Sequence, residues 1–300
     1  MKHLIEAQAL TRPVIETLFK RANELEKRPE STLSGKIMAS LFYEPSTRTR
    51  FSFESAMHRL GGSVITTENA KEFSSASKGE TIEDTIRIMN FYADIIVLRH
   101  FEAGTAQKAA DVSGVPVINA GDGPGQHPTQ ALLDLYTIER EIGHIDSVSI
   151  AMVGDLKHGR TIRSLAYLLG KYDDITIYFV APNALKVGDD IKHYLDSHHV
   201  TYHETEDMMS IVSSVDVVYQ TRIQKERFES EADYNVYKGV YQIDLAFANK
   251  MKPNAIIMHP LPRVDEILNE VDASPKAAYF NQARYGVLVR MALLEHLLIK

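Results

Sequence analysis

The feature that most constrains the fold is an alternation. Short runs rich in Val and Ile recur along the chain, each followed by a stretch with helical periodicity. In the first half "KIMASLFYE" (36–44), "SVITT" (63–67), "ADIIVLRH" (93–100) and "VPVINAGD" (115–122) read as strands. In the second half "SVSIAMVGD" (147–155), "DITIYFVAP" (174–182), "VDVVYQT" (215–221) and "AIIMHPLP" (255–262) do the same. Between them, Phe53, Ala56, Met57 and Leu60 fall at i, i+3, i+4 and i+7, one face of a helix that Gly61-Gly62 stops. Ile82, Ile86 and Met89 repeat the pattern, and Leu165, Leu168 and Leu169 mark a helix after the fifth strand. Apolar strands alternating with helices predict an α/β fold of mostly parallel sheets covered on both faces.

A length of 300 residues suits two domains of moderate size. The run "HPTQALLDLYTIEREIG" (127–143) reads as a long helix joining two α/β halves, and "GVLVRMALLEHLLIK" (286–300) as an apolar C-terminal helix. The expected division is residues 1–129, completed by the C-terminal helix 286–300, and residues 130–285. A net charge of -7 argues against nucleic acid or an anionic membrane as the main partner. No stretch approaches ~18 uninterrupted apolar residues, so no membrane span is expected. The N-terminal segment lacks the apolar run and cleavage site of a signal peptide. With no cysteine there is no disulfide, thiolate nucleophile or cysteine-ligated metal, which suits a reducing compartment; the expected location is the cytoplasm.

In parallel α/β sheets ligands sit beyond the carboxyl ends of the strands, so the polar clusters there carry the chemistry. The first cluster is Ser46, Thr47, Arg48, Thr49 and Arg50, delivered by strand 36–44 to a helix start. A helix cap needs one hydroxyl. Three hydroxyls and two guanidinium groups at a helix N-terminus suit a phosphate. The second is Arg99, which closes a buried strand and is costly there unless it meets an anion. The third is "GDGPGQHPTQ" (121–130), a Gly/Pro-rich turn presenting His127 and Gln130, able to polarise a carbonyl or contact an amide. The fourth gathers Arg160, Arg222, Gln224 and Arg227 from "GDLKHGRTIRS" and "QTRIQKER", suited to a small molecule with carboxylates. Last, "MHPLPR" (258–263) is a rigid turn that can aim backbone carbonyls at an amine or amide. Each of these has a plainer reading as a cap, a rim ion pair or a solvated charge; their recurrence at strand ends favours the functional one.

Other chemistries lack their motifs. There is no G-x-x-x-x-G-K-[ST], no G-x-G-x-x-G and no G-x-S-x-G. His198, His199 and His203 cluster without the carboxylate spacing of a metal site.

Taken together, S-T-R-T-R-x-S-F-E, S-K-G-E-T, H-P-T-Q, R-x-Q-x-E-R and H-P-L-P-R, in this order, resemble the transcarbamoylases, and within them the aspartate branch of pyrimidine biosynthesis. The resemblance runs from about residue 3 to the C-terminal helix. It implies transfer of the carbamoyl group of carbamoyl phosphate to the amine of L-aspartate, with no cofactor and no metal. It assigns Ser46, Thr47, Arg48 and Thr49 to the phosphate. Arg99, His127 and Gln130 go to the carbonyl and amide end, which Thr49 also reaches. A neighbouring subunit lends a Ser and a Lys from the loop "EFSSASKGET". The lysine is Lys78. The serine is Ser74 if the loop has no gap, with Ser75 and Ser77 beside it. Arg160, Thr161, Arg222, Gln224 and Lys78 are implied for aspartate, with the backbone carbonyl of Leu261 in the turn that Pro262 completes. Glu44 is implied to pair with Arg160 and Arg227 on closure. Arg48, Thr49, Arg99, His127 and Lys78 form the implied catalytic set. The implied assembly is a homotrimer with shared active sites, alongside which a separate regulatory chain is possible.

Two rival readings were weighed. The ornithine branch characteristically has H-C-L-P where this chain has "HPLP", and Arg222 and Lys78 would repel a cationic acceptor. A non-catalytic binding protein on the same scaffold should have lost at least one charged contact, whereas every mapped position is filled.

Overall fold

The structure, a computed structural model, describes residues 1–223 and 230–299. In chain order the elements are α1 (Arg12–Lys27), β1 (Ile37–Phe42), α2 (Thr47–Arg59), β2 (Ser63–Glu68), α3 (Ala70–Phe73), α4 (Ile82–Met89), β3 (Ile95–His100), α5 (Thr105–Val112), β4 (Val117–Asp122) and α6 (Pro128–Ile142). There follow β5 (Ser149–Val153), α7 (Arg160–Leu169), β6 (Thr176–Val180), α8 (Asp189–Ser197), β7 (Thr201–Thr205), β8 (Val217–Gln220), α9 (Glu231–Tyr237), α10 (Leu245–Lys250), β9 (Ile256–Met258) and α11 (Tyr279–Leu298). The expected α/β class holds. The chain divides into two compact units, residues 1–133 with 283–300, and residues 134–282.

The first unit holds a four-stranded sheet ordered β2-β1-β3-β4, every pair parallel. Strands β3, inside the sheet, and β4, at its edge, are buried along their whole length, as two covered faces require. Ala39, Leu41, Ile96, Leu98 and Val117 pack there with Ile86 and Ala109 from α4 and α5. The ladder between β3 and β4 slips once. Leu98 faces Asn119, but His100 faces Asp122, so β4 carries an extra residue opposite Arg99. Gly121, at φ +116°, supplies the backbone freedom this irregularity needs.

The second unit holds a five-stranded parallel sheet ordered β7-β6-β5-β8-β9. Ala151, Val153, Val218, Ile257 and Tyr279 lie in its core, with Phe247 and Met251 from α10 and its flank. Both sheets contain a point where the strand order reverses: between β1 and β3 in the first, and between β5 and β8 in the second. Crevices at the carboxyl ends of such strands are where ligands bind in this class of fold.

Two elements differ from expectation. Helix α11 begins at Tyr279, seven residues before the apolar run that announced it. Its first turns expose Phe280 and Arg284 and so carry little apolar signal. Strand β7 was not expected at all; it is a mostly exposed edge strand of sequence TYHET.

Candidate active site

At the first reversal point, β1 ends at Phe42 and the chain runs through Glu44 and Pro45 into α2. Ser46 occupies the N-cap position, yet its hydroxyl makes no capping hydrogen bond. The N–H groups of Thr47, Arg48 and Thr49 precede the first helical acceptor, Ser46 O, which takes the N–H of Arg50 at 3.1 Å. Unspent donors thus converge where the helix dipole favours an anion. Thr49 is buried, whereas Thr47 and Arg48 are exposed. No carboxylate among the described residues pairs with Arg48, and the protein around its head depresses its pKa by desolvation. Arg50, in contrast, is spent on structure. Its Nη2 lies 2.8 Å from Glu68 Oε2 on β2, and its guanidinium stacks on Phe51. The run of five donors therefore splits, with Ser46 to Thr49 open and Arg50 engaged.

Arg99, on the adjacent strand end, is 7% exposed. Its Nη1 donates to Ala120 O at 3.3 Å, inside the ladder slip, and its Nη2 lies 3.0 Å from Glu44 Oε2. Glu44 was expected to meet Arg160 and Arg227; within its own unit it holds Arg99. Arg227 lies outside the described residues, as does Gln224.

His127 and Gln130 flank the start of α6, both buried. The His127 carbonyl accepts the N–H of Gln130 at 3.0 Å and of Ala131 at 3.2 Å. The preceding turn is pinned by Asp122, whose carboxylate accepts from Gly104 N, Asn119 Nδ2 and Gln126 N at 3.0 to 3.1 Å. Gly123 is required there: its φ is +51°, and a Cβ would stand 2.4 Å from Phe101 O.

The loop after α3 is mostly exposed. Ser74 caps a single 3-10 turn (Ser75–Lys78): its Oγ accepts from Ala76 N at 3.2 Å and donates to Ala70 O. Ser77 Oγ donates to Ser74 O at 2.8 Å. Ser75 and Lys78 are exposed, and Lys78 has no carboxylate partner among the described residues.

At the second reversal point β5 and β8 end side by side. Thr221 N donates to Val153 O at 2.9 Å and Thr221 Oγ1 to the same oxygen at 2.8 Å. Gly154, at φ +114°, lets the strands approach: a Cβ would stand 2.5 Å from Thr221 O. Asp155 then accepts from His158 N at 3.0 Å and shapes the turn into α7. Arg160 and Thr161 are the first two residues of α7, so their N–H groups lie in the first turn, where the helix dipole favours an anion. Arg222 follows β8, partly buried, in a recess shared with Thr221, Lys238 and Glu266.

Beyond β9 the turn at Leu261 and Pro262 is tightly held. The Leu261-Pro262 peptide is cis and Leu261 has φ +56°, unusual for a branched residue. Leu261 N donates to His259 Nδ1 at 2.8 Å. That bond leaves the ring proton on Nε2, which lies 2.8 Å from Glu266 Oε1. Glu266 Oε2 accepts from Val264 N and Asp265 N at 3.0 and 3.1 Å. Burial works to raise the Glu266 carboxyl, but His259 and these N–H donors outweigh it and hold it below the ordinary range.

Sequence reading gave no role to Asp134, Tyr219, His259, Glu266 and Gln282. Their signal lies in burial of polar groups, which appears only once the chain is folded. Among the described residues no group of three or more His, Cys, Asp and Glu could hold a metal ion. His203 lies on β7 against Tyr178, and His198 stacks on Tyr194.

Comparison with known proteins accounts for both halves. The family model described as the carbamoyl-P binding domain of aspartate/ornithine carbamoyltransferase matches residues 2–140, and the one described as its Asp/Orn binding domain matches residues 146–297. The Pisum sativum protein named aspartate carbamoyltransferase 2, chloroplastic, is 58% identical over 302 residues, covering 99% of this chain and 78% of that protein. The catalytic subunit of M. jannaschii aspartate transcarbamoylase superposes with a TM-score of 0.92 at 50% identity, over 99% of this chain and 98% of that one. The Trypanosoma cruzi aspartate transcarbamoylase in complex with carbamoyl phosphate and aspartate superposes with a TM-score of 0.92 at 42% identity, over 98% and 95%. The chain belongs to the aspartate/ornithine carbamoyltransferase family.

Proposed function

We propose that this chain transfers the carbamoyl group of carbamoyl phosphate to the amine of L-aspartate, giving N-carbamoyl-L-aspartate and phosphate. The observation that carries this reading is a cationic helix start at each reversal point: Ser46 to Thr49 on α2, and Arg160 with Thr161 on α7. The T. cruzi relative, solved with carbamoyl phosphate and aspartate, supports the substrate pair.

Ser46, Thr47, Arg48 and Thr49 hold the phosphate at the α2 N-terminus, with Ser74 and Lys78 arriving from a neighbouring copy. Arg99, His127 and Gln130 face the carbamoyl group. Arg160, Thr161, Arg222, Gln224 and Lys78 bind the aspartate carboxylates, and the Leu261 carbonyl, set by the Leu261-Pro262 turn, accepts from its amine. The deprotonated amine attacks the carbamoyl carbon, and negative charge develops on the carbonyl oxygen. Arg99, Thr49 and His127 stabilise that charge as fixed donors. The C–O bond to phosphate then breaks, and the departing phosphate takes the amine proton. Arg48, which has no carboxylate partner among the described residues, and the α2 dipole favour that leaving group. Holding both substrates in line supplies the remaining rate through lost translational freedom. Glu44 holds Arg99 at 3.0 Å and so sets the direction of its guanidinium.

The loan of Lys78 makes a homotrimer with shared sites the smallest active assembly. The M. jannaschii relative is named a catalytic subunit, which supports the addition of a second kind of chain. The absence of cysteine supports a cytoplasmic location, although the pea relative is named chloroplastic.

The test is carbamoyl transfer from carbamoyl phosphate with L-aspartate and L-ornithine as parallel acceptors, on wild type and Lys78→Ala. Carbamoyl-aspartate alone, lost in the variant, is expected. Citrulline would transfer the chain to the ornithine branch.

A further inference from the structure

A buried hydrogen-bond chain runs beneath the candidate aspartate residues, wholly inside the second unit. Asp134, on α6, is 0% exposed. Its Oδ2 accepts from Tyr219 Oη on β8 at 2.7 Å, and its Oδ1 accepts from Gln282 Nε2 on α11 at 2.6 Å. Thr161, on α7, is a polar neighbour of the same Tyr219 phenol; burial and the Asp134 carboxylate raise the phenol pKa well above its ordinary value, and Thr161 acts to lower it. On the other side Gln282 Oε1 accepts from His259 N at 2.9 Å. His259 Nδ1 accepts from Leu261 N at 2.8 Å. One carboxylate thus sits at the middle of a relay with Thr161 at one end and Leu261 at the other.

The polarity of this relay is fixed. Asp134 can only accept, so Tyr219 and Gln282 must both donate to it. With its proton committed to Asp134, the phenol keeps only its oxygen lone pairs for its neighbour Thr161. Gln282, its amide nitrogen committed, presents its oxygen to His259 N. Every donor and acceptor orientation along the chain follows from the buried charge. A charge buried at this depth is expensive unless it meets donors, and Tyr219 and Gln282 supply two of them. Cores are cheaper to build from apolar groups, so a retained buried carboxylate calls for a role beyond packing.

We propose that Asp134 is a positioning residue for the acceptor pocket: through Tyr219 it orients Thr161, and through Gln282 and His259 it fixes the Leu261 turn. It touches no substrate itself. Its removal loosens both ends of the pocket together and leaves the phosphate-binding residues, which lie in the other unit, as they were. The proposal rests on the reading of Thr161 and Leu261 as acceptor-binding residues.

The experiment uses Asp134→Asn and Tyr219→Phe, singly and together, in the full-length protein. Asp134→Asn keeps the volume but replaces an acceptor with a donor facing Tyr219. Tyr219→Phe keeps the ring and deletes one bond; thermal melts establish that each variant is folded before rates are compared. Initial rates are measured against L-aspartate at saturating carbamoyl phosphate. The Kd of carbamoyl phosphate is measured separately by calorimetry. The expected result is a KM for aspartate raised about tenfold in each single variant, on the scale of one lost buried hydrogen bond, and a carbamoyl phosphate Kd unchanged within about twofold. The double variant should be no worse than the worse single one, because both break the same chain. An unchanged KM in Tyr219→Phe would overturn the proposal. So would equal weakening of carbamoyl phosphate, or penalties that multiply in the double variant, since either marks a general loss of packing. Should wild type use ornithine instead, the acceptor reading fails alone and the same comparison is made on the ornithine KM. No turnover of either acceptor by wild type would remove both readings.

Discussion

Arg48 is the residue on which the proposed phosphate site turns. It stands at the start of α2 with no carboxylate partner among the described residues, whereas Arg50, two positions on, is held by Glu68 at 2.8 Å. The two should therefore respond differently to truncation. Arg48→Ala is expected to weaken carbamoyl phosphate by about 100-fold, the scale of a charge-assisted pair to a phosphate, with thermal stability unchanged. Calorimetric titration with a melting curve checks both. A fall in Tm without a change in Kd would place Arg48 among the structural arginines. At this scale the open start of α2 was readable because it is local: Ser46 to Thr49 are adjacent, and their excess over what a cap needs is visible by counting. It was not readable for Asp134. Its partners Tyr219 and Gln282 lie 85 and 148 residues away, and no local pattern marks them.

The ends of β5 and β8 are joined by a close approach that only a glycine permits. Gly154 combines φ +114° with a would-be Cβ at 2.5 Å from Thr221 O. Gly154→Ala forces either the backbone out of its conformation or the strands apart, costing roughly 2 kcal/mol or more. Arg160 and Arg222 follow these two strands, so the aspartate KM should rise along with the loss of stability. Urea melts and initial rates on the variant measure both; a stable variant with normal kinetics would contradict the role given to this contact. Strands and helices with dense apolar runs were legible because two covered faces demand Val and Ile throughout. Strand β7 was missed because an exposed edge strand, TYHET, carries no such demand. The start of α11 was missed for a similar reason: Phe280 and Arg284 face solvent.

Over the whole molecule, acid should be the weak side of stability. Burial acts to raise Asp94, Asp216 and Glu266, but Lys36, Lys252 and His259 with their hydrogen bonds overcome it; Arg263 draws Asp272 down. Each has a folded pKa below its unfolded one. The stability these groups contribute is present above the ordinary carboxylate range and is lost as pH falls below about 4. His3, His100 and His296 are depressed by burial, so the unfolded chain takes up their protons first and the decline begins near pH 6.5. Urea midpoints from pH 8 down to about 3 should fall in that order. Midpoints that rise on acidification would show that other groups dominate.

Length, the helix across 127–143 and the alternation repeated in each half led to an expected division at 129/130; the compact units meet at 133/134. The assignment of one substrate to each unit is the central claim. Its most direct test is calorimetric binding of N-(phosphonacetyl)-L-aspartate, which joins a phosphonate to an aspartate, against phosphonoacetate, which has no aspartate. The two are compared on wild type, Arg48→Ala and Arg222→Ala. The account predicts that both variants lose affinity for the joined ligand, while phosphonoacetate is weakened by Arg48→Ala alone. Equal binding of the joined ligand by wild type and Arg222→Ala would contradict it.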